Sequence, residues 1–175
     1  DISSMADSSL IEEAEHFMDV LAERIGELSA SATAHNEAAV STSFSEYQKF
    51  RDLSAGCLTF TIIIQNRVDR VGASDPGLAK EFGSRLDTQT VQVWGILLKG
   101  ALEFFQVISQ NDSLPLGTRD VFTRELRTLH EAGKIFRDPR YVERADESMR
   151  KNADVAEKIL LEIIEKAPGL LEIAV

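Results

Sequence analysis

Residues Cys57–Ile64 read CLTFTIII. By propensity alone this is a strand, because β-branched and aromatic side chains suit a pleated surface. What flanks it says otherwise. Tyr47, Phe50 and Ser54 before it, and Val68 and Val71 after it, keep a spacing of three and four residues, which puts them on one side of a helix. A strand at 57–64 would also need a partner, and no other segment reads as one. Tertiary context overrides propensity in such cases. The expectation is one helix, entered through a capping box at Ser43-x-x-Glu46 and closed at Gly72, with Phe44, Leu58, Thr61 and Ile64 on its inner side. If that holds, the whole chain is α-helical.

The same spacing continues in both directions. Upstream, Ala14, Met18, Leu21, Ile25, Leu28 and Ala32 form a stripe along a helix expected from Ser9, where Ser9-x-x-Glu12 makes another capping box, to Glu37. Val40–Ser43 (VSTS) reads as the turn. Downstream, Asp75-Pro76 places a capping carboxylate before a proline at the first helical position. A long apolar face follows from Leu78 to Ile108, with Gln92, Lys99, Glu103 and Gln106 as a narrow wet stripe. A fourth helix is expected over 118–136, with Phe122, Leu126, Leu129, Gly133 and Phe136 facing inward. A fifth is expected from Pro139, where Asp138-Pro139 repeats the earlier start, to Lys166, with Pro168-Gly169 as its stop. Short turns make successive helices antiparallel neighbours. The fold expected is an all-α antiparallel bundle of about five mostly long helices. It is read as a single domain over 9–167, preceded by a disordered or expression-derived lead at 1–8 with Met5 as the natural start, and followed by an apolar tail at 168–175.

At 175 residues the chain can bury a core without cross-links. Its net charge of −10 makes nucleic acid and anionic bilayers poor partners. Lys99 and Glu103 interrupt the most apolar stretch, so membrane insertion is not expected. Cys57 is the only cysteine. Within its apolar run it reads as a small buried hydrophobe rather than a nucleophile. With Glu12, Glu13 and Glu15 following Leu10 and Ile11, no secretory leader is expected, and the location expected is cytoplasmic.

Few residues suggest chemistry. A ferritin-like metal bundle needs two Glu-x-x-His motifs and further glutamates. Glu13-x-x-His16 supplies one, no second exists, and His35 stands apart. No metal or cofactor is therefore expected. Phosphate-cradling and nucleophile-elbow motifs are absent from the sequence. His130-Glu131-Ala132-Gly133-Lys134 resembles the His-x-x-Lys-Gly motif of histidine phosphotransfer domains, with glycine and lysine in swapped order. Gly133 and Lys134 still share the helical face of His130. The resemblance covers five residues. It implies a phosphoacceptor at His130, room for a response regulator at Gly133 and a charge-offsetting cation at Lys134. Arg124–Leu129 (RELRTL) is similar to the phosphoacceptor box of sensor kinases, but with arginine and leucine where that box has histidine and proline. Packing by Leu129, Gly133 and Phe136 accounts for most of the His130 stretch.

Ile62 and Ile63 stand out more. With Cys57, Leu58, Thr61 and Ile64 inward, these two point partly toward the wet line of Asp52, Thr59 and Asn66, where apolar residues suggest contact with another surface. That surface is either the fifth helix or a partner. Leu170, Leu171 and Ile173 in the tail raise the same question. The leading expectation is a non-enzymatic regulatory or adaptor protein, homodimeric, acting through Ile62, Ile63, Leu170, Leu171 and Ile173. Phosphotransfer through His130 is the alternative, and a metal-binding bundle the second.

Overall fold

The computed structural model describes residues 2–37, 44–109 and 118–166. Among them there are five α-helices and no strand: α1 (Ile2–Glu37), α2 (Phe44–Gly72), α3 (Pro76–Ser109), α4 (Thr118–Arg137) and α5 (Glu147–Lys166). Backbone contacts gather into two compact units. One holds α1 to Thr33, α2, and α3 to Val93; the other holds α3 from Trp94 together with α4 and α5.

In the first unit, CLTFTIII is helical throughout. Thr61 Oγ1 donates to the Leu58 carbonyl at 2.6 Å and Ser54 Oγ to the Phe50 carbonyl at 2.8 Å, so side-chain hydroxyls that could compete with the helix are tied into its preceding turn. Tyr47, Phe50, Ser54, Cys57, Ile64, Val68 and Val71 are buried, the expected stripe. Fully burying a side chain such as Ile64 is worth about 1.5–3 kcal/mol, more than the tenths by which β-branched residues fall short in a helix. Gly72 ends α2, as expected. A Cβ there would lie 3.2 Å from Ala79 Cβ, so glycine admits the close return of the chain into α3. Asp75 Oδ1 accepts the Leu78 N–H at 3.0 Å, the cap expected ahead of Pro76.

α1 runs antiparallel to α2. Glu13 pairs with Arg67 at 2.7 Å, while Phe17 and, further along, Arg24 meet the Phe60 ring at 5.4 and 5.9 Å. Ala14, Met18, Leu21 and Leu28 form the buried stripe of α1. The start of this helix corrects the sequence-based expectation. α1 opens at Ile2, so Ser9-x-x-Glu12 lies inside it and is not a cap. No proline or glycine precedes Gly26, and serine costs a helix interior only tenths of a kcal/mol, so the helix passes through the motif. α1 is fixed to α3 by Gln89, whose Nε2 donates to the Met18 carbonyl at 2.9 Å, and by Arg85 to Asp19 at 2.7 Å. The Ser43 cap and the Val40–Ser43 turn lie outside the described residues.

In the second unit, Phe105 of α3 and Phe122 of α4 meet edge to face at 5.3 Å. Leu126, Leu129, Ala132 and Phe136 are buried on α4. The last helix is the other correction. It starts at Glu147, not Pro139. Asp138 Oδ1 accepts the Arg140 N–H and its carbonyl accepts from Tyr141 and Val142, so Asp-Pro builds a single turn. A 3₁₀ turn over Val142–Arg144 follows, and Ala145 is extended at φ −78°, ψ 134°. That extended residue breaks the helical path. Asp146 then caps α5, its Oδ1 taking the Met149 N–H at 2.8 Å. Two capping aspartates lie close together here, and the second one starts the helix. The Pro168-Gly169 stop and the apolar tail are outside the described residues.

Candidate functional site

The α2 surface is set by what lies between Asp52 and Arg67. From Leu53 to Asn66 no side chain is charged, in a chain where charged residues are 27%. The inner side of this stretch goes to the core at Ser54, Cys57 and Ile64. The outer side leaves Ala55, Gly56, Thr59, Ile62, Ile63 and Asn66 exposed. Ile62 shows 66% of its surface and Ile63 36%. Depletion of charge around exposed aliphatic residues marks a candidate interface. Leu170, Leu171 and Ile173, expected to share in it, lie outside the described residues.

A second apolar strip was not anticipated. On α5, Val155, Leu161 and Ile164 are 45%, 53% and 46% exposed, beside buried Ala156 and Leu160. Its signal was available in Leu160-Leu161 and Ile163-Ile164: doubled aliphatics subtend about 100° and overrun a single buried face.

Around His130 the three residues of the motif differ in exposure. His130 is half-buried and Lys134 exposed, the latter 3.5 Å from Glu131. Gly133 is buried beneath Arg137, whose Nε donates to the Gly133 carbonyl at 3.1 Å and whose Nη2 sits 2.8 Å from where a Cβ would stand. The glycine is thus occupied by a side chain of its own helix. Glu125 and Thr128, neither singled out by periodicity, are buried on the same helix.

Glu13 is taken up by Arg67, and His16 is exposed beside Phe17. Among the described residues no group of three or more His, Cys, Asp or Glu converges as a metal site would require. Cys57 is buried, and burial pushes its thiol up from the ordinary value; Arg24 partly offsets this and Glu27 adds to it. The neutral thiol is favoured, as for a packing residue. Among the described residues no helix is long and apolar enough to cross a membrane. No family model, curated protein or solved structure matches the chain.

Proposed function

We propose that this chain is a non-enzymatic regulatory or adaptor bundle that works through helix–helix contacts and pairs with a second copy across the Ile62/Ile63 face of α2. The observation that carries this is Ile62, a large aliphatic side chain two-thirds in solvent at the centre of a helical surface without charge. A twofold pairing would place the same patch on both sides of the contact, burying Ile62 and Ile63 of each copy. Ala55, Gly56 and Thr59 are small enough to let two helices approach closely along that line. Leu170, Leu171 and Ile173 belong to the same proposal as further apolar contacts.

The test is the mass of the full chain by light scattering, beside an Ile62→Glu/Ile63→Glu variant. A dimer that becomes a monomer while remaining folded supports the proposal. A monomer in both cases, with unchanged stability, removes it.

A further inference from the structure

The second unit contains a groove of about 740 Å³, within the range that accommodates a small organic molecule. Leu102, Phe105 and Phe122 form one side of its lining, and Val155, Ile159 and Ile163 the other. Glu103 lines the same groove, and its Oε2 is buried without a hydrogen-bond partner. Buried polar atoms are nearly always paired, and an orphaned carboxylate oxygen is among the costlier exceptions. Lys99, one turn earlier on α3, is exposed. Burial raises the Glu103 carboxyl above its usual range, and the Lys99 charge offsets only part of this.

We propose that this groove binds a small amphipathic amine, with its apolar body between α3 and α5 and its ammonium group on the Glu103 carboxylate, whose side chain turns to bring the buried Oε2 to the groove. Three features select a cation over a neutral donor. The acceptor is a carboxylate with one oxygen, Oε2, buried and unpartnered, and hydrogen bonds to ionised groups are the strong ones. Glu162 adds a second negative charge to the lining, so its two carboxylates outnumber the one cation there, Lys99. Phe105 and Phe122 supply aromatic rings, whose faces attract ammonium ions; they pack edge to face at 5.3 Å. The walls select an apolar body, because binding one removes Ile159, Ile163 and the 45%-exposed Val155 from water.

The probes are octylammonium, octan-1-ol and octanoate, titrated calorimetrically into the full chain below their aggregation concentrations. Octylammonium should bind at least about tenfold more tightly than octanol, the worth of a charge-assisted hydrogen bond, and octanoate should bind weakest. Glu103→Gln keeps the side-chain shape and should bring the amine down to the affinity of the alcohol while leaving the alcohol unchanged. Methyl chemical shifts of Val155, Ile159 and Ile163 should move with the amine. The proposal is overturned if no probe binds at millimolar concentration or if amine and alcohol bind alike. It is equally overturned if the preference survives Glu103→Gln or if the shifts map elsewhere.

Discussion

Ile62→Glu separates folding from association more cleanly than any other single change. Ile62 is 66% exposed, so a glutamate there loses little of the core, and surface substitutions of this kind fall within about 0.5 kcal/mol. For a chain of this length that is a shift in Tm of about 2 °C or less. In a symmetric dimer the same residue counts twice. Burying a whole isoleucine is worth about 1.5–3 kcal/mol; two-thirds of that is about 1–2 kcal/mol per copy and about 2–4 kcal/mol per dimer. Dimer dissociation should therefore rise by roughly 30- to 1,000-fold, and more where two glutamates come face to face. Each copy carries a net charge of −10, so wild-type pairing works against repulsion and should tighten as salt is raised. Sedimentation equilibrium over a concentration series, at low and moderate salt, measures both effects, with circular dichroism melts to confirm folding. A wild-type dimer whose dissociation constant is unmoved by Ile62→Glu would refute the placement of the interface. Loosening with salt would refute the apolar account of it.

Other changes test the interior and the chemistry. Gln89→Met should stabilise the fold by roughly 1 kcal/mol: it gives up one hydrogen bond to Met18 worth about 1 kcal/mol but also removes Oε1, which is buried without a partner, at about 1–3 kcal/mol; urea unfolding reports the sign, and a loss would contradict it. Because the folded-state pKa of Glu103 is raised by burial, the folded protein holds that proton more tightly than the unfolded chain. Acidification toward the ordinary value of 4.5 should therefore relieve a penalty fully present above the folded pKa. Glu103→Gln should accordingly be the more stable form at neutral pH, and its advantage should shrink as pH falls through that window in paired thermal melts. Cys57, 1% exposed, should react with a maleimide only as fast as the protein opens, and at once in denaturant; rapid labelling of the native form would contradict the packing. Incubation with a small phosphodonor should leave no acid-labile phosphate on His130, whereas label that disappears in His130→Gln would revive the phosphotransfer alternative.

The fold was legible because helix periodicity is carried by many residues at once. No single misleading residue in CLTFTIII could outweigh Tyr47, Phe50, Val68 and Val71 keeping step on either side. Helix ends depend on single side chains; the reading held at Gly72 and Asp75 and failed at the starts of α1 and α5. Ser9-x-x-Glu12 has the composition of a cap but sits in a run that nothing interrupts. Asp138-Pro139 has the composition of a start but loses to Asp146, because Ala145 adopts an extended conformation that the sequence does not announce. The same locality explains His130: the spacing placed Gly133 on its face, but only the folded side chains show Arg137 lying over that glycine.

Surface sites are harder to read because periodicity says which residues share a helix face, not whether that face is covered. Ile62 and Ile63 could have been packed under another helix; their exposure is a tertiary fact. The pattern that flagged them is nevertheless general. Two or more adjacent aliphatics in an amphipathic helix cannot all face one core, so one of them faces either a neighbour or water. Applied to Leu160-Leu161 and Ile163-Ile164 of α5, the rule picks out Leu161 and Ile164, which are half in solvent. Glu103 is the opposite case. Its place in the wet stripe of α3, beside Lys99 and Gln106, suggested a solvated carboxylate. In the fold it lines a groove together with Phe122 of α4 and Ile159 of α5, and one of its oxygens is buried without a partner. A polar residue at the edge of an apolar face becomes a candidate ligand contact only when other helices enclose it, and the spacing along its own helix carries no information about that.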